Sequence, residues 1–140
     1  MGKILCATRG GEASYRTQDQ AIALAKERGD ELLFLYVVDL EFLDRVSAPL
    51  VVDVENDIAR MGEFLLLMAQ ERAEKQGVNA EITWRQGNVR EELKNAAREE
   101  GVTLVVLGRP VGEADVFEVA GLEAFAAEIQ TETGIEARVL

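Results

Sequence analysis

The residues whose types and spacing could do chemistry lie in one stretch, LGRPVGEADVFEVAGLEAF, at positions 107–125. It opens with Gly108 and Arg109 after an apolar run, and it then places another glycine shortly before an apolar stretch of helical spacing. A glycine turn between a buried strand and a helix presents backbone N–H groups that can bind phosphate. The stretch therefore predicts either a phosphate-binding loop or a loop that has lost part of its ligand contacts.

Other familiar kinds of catalytic site are excluded by what the chain lacks. It has no histidine, so histidine general bases, Ser-His and Cys-His nucleophiles and histidine metal ligands are all absent. Its single cysteine, Cys6, lies in an apolar run at positions 4–7, which favours a buried strand residue over a reactive thiol. With no nucleophile-base set and no metal-ligand spacing, we predict no catalytic residue, no metal site and no resident cofactor.

Size and charge narrow the class of protein further. The 140 residues, 48% of them apolar, fit one domain covering positions 1–140. A formal net charge of -11 repels nucleic acid and anionic membrane surfaces. No apolar stretch approaches membrane-spanning length and no signal peptide is evident. Together with the lone cysteine, these features predict a cytoplasmic protein that binds neither nucleic acid nor membrane.

The order of secondary structure is readable from the apolar pattern. Segments of helical spacing separate five short apolar runs, at positions 3–7, 31–38, 80–85, 103–107 and 136–140. Each of the four helical segments ends at a glycine, which predicts a C-terminal cap at Gly29, Gly77, Gly101 and Gly134. The runs LLFLYVV and LVVL are continuously apolar, as in central strands covered by helices on both faces. The pattern predicts an α/β fold with a doubly wound parallel sheet of five strands and four helices.

Two helices are marked in more detail. Asn88 followed three positions later by Glu91 predicts a capping box, and Val89, Leu93, Ala96 and Ala97 trace the apolar face of that helix. The preceding helix is predicted at about positions 54–76, after a long excursion at 39–53 that lines either the pocket or an interface. Its apolar band FLLLM, positions 64–68, favours core packing over a groove for a partner protein.

The segments KILCATRGGEAS, LYVVD and VVLGRP, together with the element order, resemble the universal stress protein family (UspA-like domain) along the whole chain. The resemblance implies a Rossmann-like, adenine nucleotide alpha hydrolase-like sheet with strand order 3-2-1-4-5. It also implies a role in the stress response. Strands 1 and 4 are then neighbours where the winding reverses, so their carboxyl ends open a crevice for a ligand. One branch of the family binds ATP through a motif after the fourth strand, G-x2-G-x9-G-[S/T].

That motif is only partly present in this chain. Gly108 takes its first position and Gly121 its third, while Val111 replaces the second glycine and Leu122 replaces the Ser or Thr. Using Gly112 instead of position 111 requires a bulged loop. Valine resists the backbone conformations open to glycine, and leucine at the helix start offers no donor, so we predict that ATP binding of the family's kind is weak or lost.

At the end of the first strand, Arg9 stands where the ATP-binding branch has an acidic residue. The candidate ligand-pocket residues are Ala7, Thr8, Arg9, Val37, Gly108, Arg109, Val111, Gly112, Gly121 and Leu122. One alternative is that Arg9 and Arg109 bind a nucleotide or another small anion through their guanidinium groups. The other is that Arg9 pairs with Glu12 or Asp39 while Arg109 extends into solvent.

The last predicted strand favours the formation of a homodimer. In the order 3-2-1-4-5 it lies at a sheet edge, whose unpaired backbone groups favour pairing with a second copy. The expected homodimer contact consists of Glu136, Ala137, Arg138, Val139 and Leu140. The alternative is that Glu136 and Arg138 protect the edge and leave a monomer. The sequence leaves open a further protein partner and does not identify it.

Overall fold

The computed structural model describes residues 2–8, 12–38, 48–108 and 116–140. Along the chain the elements are β1 (Lys3–Ala7), α1 (Glu12–Arg28), β2 (Glu31–Val38), α2 (Ala48–Lys75), β3 (Ala80–Gln86), α3 (Val89–Glu99), β4 (Leu104–Leu107), α4 (Val116–Thr133) and β5 (Glu136–Val139). None of the described helices is both long and apolar enough to span a bilayer.

The five strands form one parallel sheet in the order β3-β2-β1-β4-β5. In its centre, Cys6 of β1 pairs with Phe34 of β2 on one side and Val106 of β4 on the other. The predicted fold class is confirmed. Because the strand order reverses between β1 and β4, the carboxyl ends of these two strands form the edge at which such folds bind ligands.

Each face of the sheet has its own apolar core. Alternate residues of a strand point to opposite faces, so Ile4 and Cys6 pack with α1 and α2, whereas Leu5 packs with α3 and α4. Burial on both faces explains the continuously apolar runs of β2 and β4.

The predicted helix ends are also confirmed. Gly29, Gly77, Gly101 and Gly134 all have positive φ angles, between 69° and 76°. At the start of α3, the Asn88 side chain accepts a hydrogen bond from the N–H of Glu91 over 3.2 Å. These local signals therefore set where the helices turn back toward the sheet.

Two predictions about α2 are corrected. The helix begins at Ala48 rather than near position 54, so residues 48–53 of the predicted excursion are helical, while 39–47 lie outside the described residues. In the band FLLLM, Leu66 is buried, but Phe64 and Leu67 are 62% and 55% exposed. Five consecutive residues span more than one helical turn, so they cannot all face one sheet.

Candidate functional site

The candidate site lies at the carboxyl ends of β1 and β4, which are neighbouring strands in the sheet. Leu5 and Cys6 pair with Val105 and Val106, and the two chains leave the sheet through Thr8 and Gly108. The structure thus places these two predicted pocket residues at one edge, directly after adjacent strands.

Thr8 is held from two directions. It is 1% exposed, and its N–H donates to the carbonyl oxygen of Leu35 over 2.8 Å. Its hydroxyl oxygen accepts a hydrogen bond from Nε2 of Gln18, a residue of α1, over 2.7 Å. The end of β1 is therefore fixed to β2 by its backbone and to α1 by its side chain.

Gly108 is fixed by packing against Thr17 of α1. A Cβ atom at position 108 would lie 2.9 Å from Cβ and 3.0 Å from Cγ2 of Thr17, with the Thr17 hydroxyl oxygen closer still. The backbone of Gly108 lies outside the left-handed region. Close approach of α1 thus accounts for glycine at this position, with no phosphate required.

Three other predicted pocket residues lie on the side of the sheet that faces away from α1. Ala7, Val37 and Leu122 are partly buried and pack against the core formed with α3 and α4. They give this side of the edge an apolar character.

The position of Leu122 in its helix differs from the prediction. α4 begins at Val116, so Gly121 and Leu122 lie in its second turn rather than at its start. In a regular α-helix, each N–H at such a position donates to the carbonyl four residues earlier. The backbone N–H groups of Gly121 and Leu122 are accordingly engaged within α4.

The remaining predicted pocket residues, Arg9, Arg109, Val111 and Gly112, lie outside the described residues. Their roles stay predictions.

Sequence reasoning missed Thr17 and Gln18. Both are buried, and Gln18 occupies a position in the same helical stripe as Ala21, Ile22 and Ala25. A glutamine in an otherwise apolar stripe, at spacing i, i+3, i+4 and i+7, was the signal that could have revealed it.

Two ionisable side chains of the strands are buried or paired: the thiol of Cys6 and the guanidinium group of Arg85. Burial raises the pKa of the Cys6 thiol to about 12, which agrees with the prediction of an inert strand cysteine. At the end of β3, Arg85 binds Glu99 and also contacts Glu92 over 3.3 Å, and the hydrogen bond with Glu99 is the main cause of its raised pKa. Within the described ranges, no cluster of three or more acidic or cysteine side chains could hold a metal ion.

Comparison with known proteins agrees with this architecture. The model of the Universal stress protein family matches residues 1–113. The chain belongs to the universal stress protein family. A curated relative, universal stress protein YxiE of Bacillus subtilis (strain 168), is 32% identical over 114 residues, covering 76% of this chain and 77% of YxiE.

Solved structures extend the likeness to the remainder of the fold. A universal stress protein family member from Burkholderia pseudomallei has a TM-score of 0.75 at 24% identity, covering 99% of this chain and 95% of its own. An Arabidopsis thaliana family protein with AMP bound has a TM-score of 0.69 at 14% identity, covering 100% and 91%. The match to the family model ends at residue 113, before Gly121 and Leu122. For these two positions the likeness to the family therefore rests on the fold alone.

Proposed function

We propose that this universal stress protein is a cytoplasmic, homodimeric regulatory domain of the stress response in which ATP binding is weak or lost. The proposed loss of ATP binding is supported by one observation on the described residues. Gly121 and Leu122, the last two positions of the ATP motif, lie in the second turn of α4. A helix N-terminus binds phosphate through the free N–H groups of its first turn, and the second turn has none.

The sequence changes act in the same direction. Leu122 has no hydroxyl to donate to a phosphate, Val111 replaces a glycine, and Arg9 replaces an acidic residue. Each lost polar contact costs about 1–3 kcal/mol. Since such losses are not additive, three of them lower ATP affinity by roughly two to four orders of magnitude.

Titration calorimetry with ATP, with and without magnesium, tests this proposal. We expect a dissociation constant weaker than about 1 mM. The matched variant is Val111→Gly with Leu122→Ser, which restores the motif and should tighten binding by about tenfold or more. A one-site isotherm in the low micromolar range for the unaltered protein would overturn the proposal.

A second candidate function is binding of AMP or another small anion through Arg9 and Arg109. The AMP bound to the Arabidopsis relative favours it, as does the ability of guanidinium groups to bind phosphate bidentately. In the sequence, Arg9 directly follows Thr8 and Arg109 directly follows Gly108, the residues at which β1 and β4 leave the sheet.

Thermal shifts with AMP and with pyrophosphate test the two arginines. We expect Arg9→Ala to abolish the ligand-induced rise in Tm and Arg109→Ala to reduce it. An unchanged shift in both variants would place the site elsewhere.

A further inference from the structure

The outer face of α2 exposes large apolar side chains to solvent. Met61, Phe64 and Leu67 are spaced three residues apart, and each is more than half exposed. The solvent-facing side of a surface helix is normally polar. A cluster of exposed apolar side chains on one helix therefore indicates a surface that binds a partner.

The exposed and buried faces of α2 repeat the same spacing, of four, three and four residues. The inner stripe is buried and consists of Gly62, Leu66, Ala69 and Ala73. The outer stripe begins two positions earlier, is exposed, and consists of Arg60, Phe64, Leu67 and Glu71. Two residues rotate an α-helix by about 200°, so the outer stripe faces away from the core.

The pattern of the outer stripe is complementary to itself. Its two middle positions, Phe64 and Leu67, are apolar, whereas Arg60 and Glu71 give its ends opposite charges. The apolar pair and the charged pair share one midpoint, between positions 65 and 66. An antiparallel pair of helices with a two-fold axis at that midpoint places Phe64 opposite Leu67 of a second copy. The same axis places Arg60 opposite Glu71 at both ends of the contact.

The charges also favour the antiparallel direction over the parallel one. A parallel pair places Arg60 against Arg60 and Glu71 against Glu71, and such like-charge contacts are unfavourable. Within its own chain, Oε1 of Glu71 lies 3.3 Å from Nζ of Lys75 in an exposed pair. A carboxylate has two oxygens that accept hydrogen bonds, so this pair is compatible with an arginine of a second copy.

We propose that the outer stripe of α2 is a self-association surface, which pairs antiparallel with the same stripe of a second copy. α2 packs against β2 and β3, whereas β5 forms the opposite edge of the sheet. This surface is therefore separate from the β5 edge, and both contacts can form in one assembly. Four side chains from each copy make a small contact, below about 1,200 Å², which is typical of weak association. The contact thus forms at high protein concentration.

Sedimentation equilibrium between about 10 µM and about 1 mM, combined with charge reversal, tests this surface. The weight-average mass of the unaltered protein should rise toward twice its lowest value. Arg60→Glu and Glu71→Arg each turn two attractive contacts into repulsive ones and should weaken this association about tenfold. An equimolar mixture of the two variants restores both contacts between unlike chains, so it should associate like the unaltered protein.

Glu27→Arg, at an exposed position of α1, is the matched control for net charge. It changes the charge as Glu71→Arg does and should associate at least as well as the unaltered protein, because general repulsion is reduced. General repulsion alone would make Glu71→Arg associate more strongly, so its expected weakening is specific to the outer stripe. Phe64→Gln removes the apolar centre and should abolish the rise in mass with an unchanged circular dichroism spectrum.

The comparison with the mass at the lowest concentration makes the result independent of the β5 contact. The inference is overturned if the mass of the unaltered protein does not rise, or if neither charge reversal lowers the rise. It is also overturned if the mixture associates no better than the separate variants. A mixture that associates more strongly than the unaltered protein would indicate a parallel pair and contradict the antiparallel alignment.

Discussion

Thr17 occupies the space that a side chain at position 108 would need, and this contact joins the middle of α1 to the end of β4. The two residues are far apart in the sequence, yet the glycine at one position depends on the side chain at the other. The first glycine of the ATP motif is therefore explained by packing as well as by the family pattern.

Replacing Gly108 with alanine should lower the free energy of unfolding by about 1–3 kcal/mol, because the new methyl group overlaps Thr17. Denaturant unfolding measures this. Adding Thr17→Ala removes the two outer atoms of the clash and should recover part of the loss, so the two changes are non-additive.

Gly121→Ala is the matched control. Apart from its chain neighbours and the adjacent backbone of α4, in which the residue lies, no atom of the described residues is within 4 Å of a Cβ built there. Alanine is favoured over glycine within a helix, so this variant should gain about 0.5–1 kcal/mol. Equal losses at both glycines would contradict the packing explanation.

The strands and helix ends could be predicted because their signals are local. Continuous apolar runs marked the strands, and glycine after each helix marked its end. The starts of α2 and α4 were misplaced although local signals existed. Ser47 with Pro49, and Asp115 with Glu118, are typical of helix N-termini at positions 48 and 116.

The site was only partly predictable for a different reason. Thr8 and Gly108 followed from the strand order, whereas the contacts of Thr17 and Gln18 join residues brought together only by the folded chain. Helical periodicity assigns residue 18 to the buried face, but it does not identify the strand end on which that face packs.

Cys6 should react with thiol reagents only when the protein unfolds. With a pKa of about 12 and no exposure, almost none of it is thiolate at pH 8. We expect labelling by a disulfide reagent to be about a thousandfold slower than for a free thiol, and normal in 6 M guanidinium chloride. Complete labelling of the folded protein within minutes would contradict the burial of this strand.

Lys94 links α3 to α4. Its side chain is only 3% exposed, and Nζ lies 2.7 Å from Glu132, 3.1 Å from Glu91 and 3.6 Å from Glu128. Lys94→Met removes the cation that these three carboxylates share and leaves, among the described residues, only Arg90, which lies 3.9 Å from Glu128, so Tm should fall by several degrees. Lys75→Met is the control, because the Lys75–Glu71 pair is exposed and contributes less than about 0.5 kcal/mol.

The pH dependence of Lys94 has a definite sign. Its hydrogen bond with Glu132, followed by that with Glu91, raises its pKa above the ordinary value of 10.5. Its contribution is therefore complete below pH 10.5 and is lost as the pH rises further, since the unfolded chain releases its proton first. The Tm difference between the unaltered protein and Lys94→Met should be constant from pH 7 to about 10 and shrink above that range. A difference that persists undiminished into stronger alkali would show that the lysine acts through packing alone.

The edge strand β5 provides a test of the proposed homodimer. The N–H of Leu140 donates to the carbonyl oxygen of Leu107 in β4 over 2.8 Å. Backbone groups of successive residues in a strand point to opposite sides, so the N–H of Val139 points to the free edge. Val139→Pro thus removes a donor that a second copy would use while leaving the bond from Leu140 to β4 in place.

We expect the unaltered protein to sediment as a dimer at about 0.15 M salt, which screens the net charge of -11 on each chain. Val139→Pro should sediment as a monomer with an unchanged circular dichroism spectrum. Val139→Ala keeps the N–H and should stay dimeric. The competing explanation is that the exposed pair of Glu136 and Arg138, 2.8 Å apart, protects the edge and leaves a monomer. A monomeric unaltered protein would favour that explanation, and a dimer that persists in Val139→Pro would place the interface on another surface.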